Sequence, residues 1–323
     1  MKTCSLMSGA KVAVEACLGV SKGEAVLVVT DFTRVDIAKS LVCAATYVGA
    51  DASLLVMERR AHHGQEPPAH VREAMKASDV VFLVTEQSLT HTEARMAATR
   101  AGARIASMPG ISEHSMLTGA MTADYKSVRA LCNKLADLLD EGSNVTVESA
   151  NGTNLQMSIE GRSAVGRNAG SLLERGDWGN LPSGEAAIAP IEKLTNGVAV
   201  IDGSMAPIGL LSVPIEVTIR NGEVSDIRGG REAEELRKFI GNFGPEARMV
   251  GELGIGTNNK ARITGNILED EKVLGTIHIA LGANTSMGGC IKAKTHNDGI
   301  ILQPTVTVDD RQVLSCGRLL VDA

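Results

Sequence analysis

Aromatic side chains are nearly missing from this chain: they make up 2% of its 323 residues. A surface that stacks nucleic-acid bases needs aromatic platforms, and one that holds phosphates needs a basic field. The formal net charge is −6, so no nucleic-acid partner is expected. No stretch approaches the roughly 18 apolar residues of a membrane-spanning helix, and no membrane association is expected. The opening Met1-Lys2-Thr3-Cys4-Ser5-Leu6 lacks the apolar segment of a signal peptide, which leads to an expected cytoplasmic location. The cysteines, Cys4, Cys17, Cys43, Cys132, Cys290 and Cys316, form no CxxC pair. They read as reduced thiols rather than a disulfide framework.

What is present is an ordinary globular composition, 44% apolar and 22% charged. The first 140 or so residues alternate strand and helix. Ala25-Val26-Leu27-Val28-Val29, Ala52-Ser53-Leu54-Leu55-Val56, Asp79-Val80-Val81-Phe82-Leu83-Val84 and Ala103-Arg104-Ile105-Ala106 read as buried strands. Helical spacing over 35–48, 71–76, 90–100 and 127–140 separates or follows them. This rhythm predicts an open parallel sheet. Beyond Glu141-Gly142-Ser143-Asn144 the texture changes to alternating apolar and polar residues, with Asn151-Gly152 and Asn221-Gly222 as hairpin turns. The expectation is an α/β domain over 1–142 with a parallel sheet, then an α+β, largely antiparallel domain over 143–323.

Four short motifs in the second half carry chemistry: Asn180-Leu181-Pro182-Ser183-Gly184-Glu185, Gly251-Glu252-Leu253-Gly254-Ile255-Gly256-Thr257-Asn258, Thr276-Ile277-His278-Ile279-Ala280-Leu281-Gly282, and His296-Asn297-Asp298. In a strand, residues i and i+2 share a face. His296 and Asp298 therefore present an imidazole and a carboxylate side by side. His278 faces away from the core if Ile277 and Ile279 face it. Glycine beside Glu252 is at odds with a plain exposed strand unless some group must approach the backbone closely. Singly, each residue is equally readable as structural or solvated. Together, Glu185, Glu252, His278, His296 and Asp298 form an oxygen-and-nitrogen donor set without thiolate. That set suits Zn²⁺, Co²⁺ or Mn²⁺ in a hydrolytic site, or Fe²⁺ in an oxygenase. Five donors are about right for two metals sharing a carboxylate. Gly254-Ile255-Gly256 lacks the third glycine of a dinucleotide loop. His62-His63 and His70 sit in a polar, proline-containing stretch and read as surface. Glu113-His114 follows a parallel strand, where ligands often approach, and is a substrate-contact candidate.

These motifs resemble those of the aminopeptidase T family, cocatalytic-metal aminopeptidases, over nearly the whole chain and most densely from Asn180 to Gly317. The resemblance implies a homodimer, an N-terminal α/β domain and a C-terminal metal-binding domain. It assigns metal ligation to Glu185, Glu252, His278, His296 and Asp298, two divalent ions (Zn, Co or Mn), and removal of N-terminal residues from a small peptide. It also places a ligand tyrosine seven residues after His278, where this chain has Thr285. The stretch from Asn284-Thr285 to Gly288-Gly289 resembles instead the 2,5-dihydroxypyridine dioxygenase branch, which holds one Fe(II) with two His and one Asp. That branch has its first His in the place of Glu252, whereas this chain keeps glutamate there. The expected function is thus a metal-dependent hydrolase acting as an aminopeptidase. The alternatives are a non-haem Fe(II) ring-cleaving dioxygenase and a non-catalytic small-molecule-binding relative. Thr285 is a further candidate for substrate contact.

Overall fold

A computed structural model describes residues 5–321; Cys4 lies outside them. The chain forms two compact units, one built from residues up to Tyr125 together with Asn168–Ser183, the other from Lys126–Arg167 and the chain from Gly184 onward.

In the first unit a five-stranded sheet runs in the order Asp51–Met57, Ala25–Asp31, Val80–Val84, Arg104–Ser107, Trp178–Asn180. Every neighbouring pair is parallel. Val80 to Val84 are fully buried, as a central parallel strand covered on both faces must be. The helices Val35–Tyr47, Ala69–Lys76 and Glu93–Ala101 fall between successive strands. The last starts where the Thr92 side chain accepts a hydrogen bond from Arg95 N, and ends at Gly102 with φ +103°; both are standard helix stops for these residue types. All four expected strands and their parallel pairing are present. The fifth, Trp178–Asn180, is too short to announce itself and joins the edge from far along the chain.

The second unit holds two antiparallel sheets. The eight-stranded one orders Glu223–Arg228, Ile215–Arg220, Thr195–Ile201, Asn154–Ser158, Asn144–Glu148, Thr305–Val308, Arg311–Ser315, Arg318–Leu319. Both Asn-Gly hairpins lie in it. At the second, Asn221 and Gly222 take φ +49° and +74°, the left-handed pair of a two-residue hairpin turn. The six-stranded sheet orders Gly209–Leu210, Ser204–Met205, His296–Ile301, Ile277–Gly282, Val250–Gly256, Glu185–Ile188. Leu253, Ile255, Ile277, Ile279, Leu281 and Ile301 bury one of its faces in a core shared with the eight-stranded sheet and with Leu131, Leu135 and Leu139. Those three leucines belong to the helix Tyr125–Glu141. They draw that helix into the second unit from Lys126, ahead of a boundary placed near 142.

Among the described residues no helix is long and apolar enough to cross a membrane. Ile279 is 2% exposed, so Ile279→Ala should leave a cavity and cost about 2–5 kcal/mol. Urea denaturation of variant and parent measures this; a loss below about 1 kcal/mol would show that the two sheets do not share a tightly packed core.

Candidate metal centre

The other face of the six-stranded sheet carries the predicted donors, and the register explains why they meet. Glu252 stands opposite Ala280, and Ala280 opposite Asp298. His278 stands opposite Gly254, His296 opposite Gly282, and Glu185 opposite Gly256. Directly opposed residues share a face, so all five donors project to one side while the isoleucines fill the core. Gly254 has a steric reason: a methyl there would lie 2.1 Å from the His278 ring. The imidazole fills the space a side chain at 254 would take, and a methyl at Gly251, next to Glu252, would lie 2.6 Å from the Gly282 carbonyl, so both glycines answer to close approach.

Glu252 sits between the two histidines. His278 Nε2 is 3.2 Å from its Oε1, and His296 Nε2 is 2.9 Å from its Oε2. His296 Nδ1 lies 2.7 Å from the Ala283 carbonyl. A carbonyl only accepts, so Nδ1 carries the proton and Nε2 faces the carboxylates, the orientation that metal-binding histidines adopt. Three sets of donors lie with their ligating atoms mutually within 4.8 Å: Glu185, Glu252 and His278; Glu252, His296 and Asp298; Glu271, His278 and Asp298. Each combines one histidine with two carboxylates.

Two further groups enter that the motifs did not reveal. Lys272 Nζ lies 2.5 Å from Glu185 Oε1 and 2.5 Å from Glu271 Oε1, its side chain 3% exposed. Nothing in Glu269-Asp270-Glu271-Lys272 distinguishes it from a solvated charge run except its position just ahead of the His278 strand.

The cluster fits a divalent cation. Glu185 Oε2 and Asp298 Oδ1 are buried without a hydrogen-bond partner. They approach imidazole nitrogens to 3.4 and 3.2 Å, but off the direction a hydrogen bond needs. Buried carboxylate oxygens left so are costly unless a cation takes them. The titration behaviour reports the same negative field. Burial pushes the His278 pKa down, yet the hydrogen bond to Glu252 and the charges of Glu185, Glu252 and Asp298 override it, to about 9. Burial likewise opposes protonation of His296, and Asp298 and Glu252 raise it well above the usual value. Burial pushes Glu252 up, and the two histidines hold it far below the carboxylate range.

The remaining candidates lie elsewhere. Thr285 is exposed in the turn Thr285–Met287 beyond the His278 strand. That turn is anchored by Met287 against Ala187 and Ala189, and by Glu192, which accepts from Asn284 Nδ2 at 3.2 Å and Cys290 N at 2.8 Å. Glu113 and His114 are exposed at the start of the short helix Glu113–Leu117, which belongs to the first unit. His62, His63 and His70 are exposed, and Gly254-Ile255-Gly256 lies inside the strand Val250–Gly256 rather than in a loop. A cavity of about 520 Å³ lined by Ser149, Asn151, Asp202, Thr276 and Cys316, among others, holds none of the five donors. Its lining has no convergent ligand set, so the chemistry points to the sheet face instead.

The chain thus pairs a parallel α/β unit with an antiparallel unit, and the antiparallel unit carries a donor cluster that could hold a metal ion. The chain belongs to the family described as NicX, 2,5-dihydroxypyridine 5,6-dioxygenase, which it matches over residues 6–321. Its fold is that of two solved structures. One, the 2,5-dihydroxypyridine dioxygenase of Pseudomonas putida KT2440, is 20% identical, with 98% of this chain and 97% of that chain covered and a TM-score of 0.78. The other, wild-type AmpT of Thermus thermophilus, is 19% identical, with 99% and 100% covered and a TM-score of 0.71. No curated protein matches.

Gly254→Ala should push the His278 ring off the centre and weaken Mn²⁺ or Zn²⁺ binding about 10–100-fold, the usual penalty for disturbing a ligand's support. Isothermal titration against the parent protein reads this directly. Unchanged affinity in a folded variant would remove His278 from the centre.

Proposed function

We propose that this protein opens a dihydroxylated pyridine ring with dioxygen, at a centre of Glu252, His278, His296 and Asp298. The full-length family match carries this reading and puts it ahead of the aminopeptidase one. A bound redox metal such as Fe(II) would supply the one-electron chemistry that oxygen requires. The chain's own residues prepare the place. Glu252 fixes both imidazoles by their Nε2 atoms, and Ala283 O fixes the His296 tautomer. His296, whose side chain is 35% exposed, is the donor open to an incoming ring, while His278 and Asp298 stay buried.

A second reading, metal-dependent hydrolysis of small peptides with Zn, Co or Mn, draws on one observation. The donor sets are carboxylate-rich, with Glu252 where the two-histidine iron site resembled in sequence has its first histidine. The two readings differ in what they consume. Protein loaded anaerobically with Fe(II) should take up oxygen when given 2,5-dihydroxypyridine, with loss of the aromatic absorbance. His296→Ala should slow this by at least about 100-fold. Release of p-nitroaniline from leucine p-nitroanilide by the Zn²⁺- or Co²⁺-loaded protein, without oxygen uptake on the pyridine, would overturn the proposal in favour of the peptidase.

A further inference from the structure

The carbonyl that meets His296 belongs to a peptide plane whose other end is held as well. Ala283 O lies 2.7 Å from His296 Nδ1. The N–H of the same peptide unit is that of Asn284, and it donates to Ile291 O at 3.2 Å. A peptide unit is planar, so holding the N–H also aims the carbonyl. Ahead of it, Ala283 N donates to Thr295 O at 2.8 Å, which leaves the tilt of the Ala283–Asn284 plane as the freedom still to be restrained.

That restraint is built from buried polar groups. Asn284 is fully buried. Its Oδ1 accepts from Ile291 N at 2.8 Å, and its Nδ2 donates to Glu192 Oε1 at 3.2 Å. Cys290 N donates to the same carboxylate oxygen at 2.8 Å. Glu192 Oε2 pairs with Arg162, whose Nη1 donates to Gly288 O at 2.5 Å. Burial pushes the Glu192 pKa up, but the Cys290 and Glu192 N–H groups, the Asn284 carboxamide and the Arg162 charge override it, to about 2. Glu192 is therefore a carboxylate that only accepts. A methyl at Gly289 would lie 2.1 Å from the Asn284 carboxamide, so the turn closes on Asn284 only with glycine there. We propose that Asn284 and Glu192 are positioning residues for His296: by holding the Ala283–Asn284 plane they aim the carbonyl that keeps a proton on Nδ1 and leaves Nε2 turned to the carboxylates. The consequence for metal binding rests on the reading of His296 as a donor; the aim of the carbonyl does not.

Metal-free protein labelled with ¹⁵N at histidine reads the His296 Nδ1–H by nuclear magnetic resonance, assigned by its absence from His296→Ala. Given to a carbonyl, that proton should exchange slowly with water. Asn284→Ala removes both side-chain bonds and should speed the exchange about 10-fold, the worth of one hydrogen bond, while the His278 signals stay unmoved. By calorimetry it should weaken Zn²⁺ binding about 10–100-fold. Glu192→Gln should shift both readouts in the same direction. A folded Asn284→Ala that keeps the parent's exchange rate overturns the proposal. So does one that speeds exchange at every histidine alike, which marks lost stability rather than lost positioning. If Asn284→Ala does not fold by circular dichroism, Glu192→Gln decides on the same criteria. A parent that binds no Zn²⁺, with a His296 signal that still depends on Asn284, overturns the metal-centre reading and leaves the positioning of the ring in place.

Discussion

Everything at this centre depends on how a group of buried carboxylates is compensated. Glu185, Glu252, Glu271 and Asp298 converge within a few ångströms of one another's partners. At an effective dielectric near 20, two like charges 4 Å apart repel by about 4 kcal/mol, and burial adds desolvation. Lys272 answers part of this. Burial works against its charge, but Glu185 and Glu271 outweigh burial and hold it protonated well above the usual range. Burial and the neighbouring carboxylates also act on Glu271, raised to about 8 despite the lysine beside it. With neutral imidazoles and Glu271 protonated near neutral pH, two negative charges remain beyond the lysine, and one dication balances them.

The sheet that presents these groups tolerates them because its two faces are kept apart. Period-two alternation sends Leu253, Ile255, Ile277 and Ile279 into the core and the donors to the opposite side. The apolar face holds the strands in register, and a slip of one residue would bury the carboxylates in the core and expose the isoleucines. Stability and ligand geometry are therefore the same constraint read on two faces. The glycine opposite His278 completes it by leaving out the side chain that would compete for the same volume as the ring.

Much of this was legible in the sequence wherever the signal was local. The βαβ rhythm, both Asn-Gly hairpins, and the face shared by His296 and Asp298 follow from spacing alone. The convergence of Glu185, Glu252 and His278 does not, since no local pattern states which strands become neighbours. The four motifs and the family resemblance supplied it. Lys272 and Glu271 were invisible for a different reason. Four successive charged residues read as a solvated loop, and only the tertiary fold, pinning Lys272 through Asn258, makes them interior. The strand Trp178–Asn180 escaped notice because three residues carry no periodicity, and its partner Arg104–Ser107 lies far back in the chain.

A dioxygenase and AmpT share this fold with the chain at 20% and 19% identity, so the fold by itself does not choose between ring opening and hydrolysis. The choice falls to a few donors on an otherwise common sheet face. A histidine at position 252 would add a neutral nitrogen donor; the glutamate found there adds a charge and ties two imidazoles together. A cation built into the chain at Lys272 acts in the opposite sense, pairing with two of the cluster's carboxylates, Glu185 and Glu271. The chain thus carries a carboxylate at 252, where the iron site resembled in sequence has a histidine, and a buried ammonium at 272. Their effects on total charge offset, and His296 is left as the most exposed of the five donors.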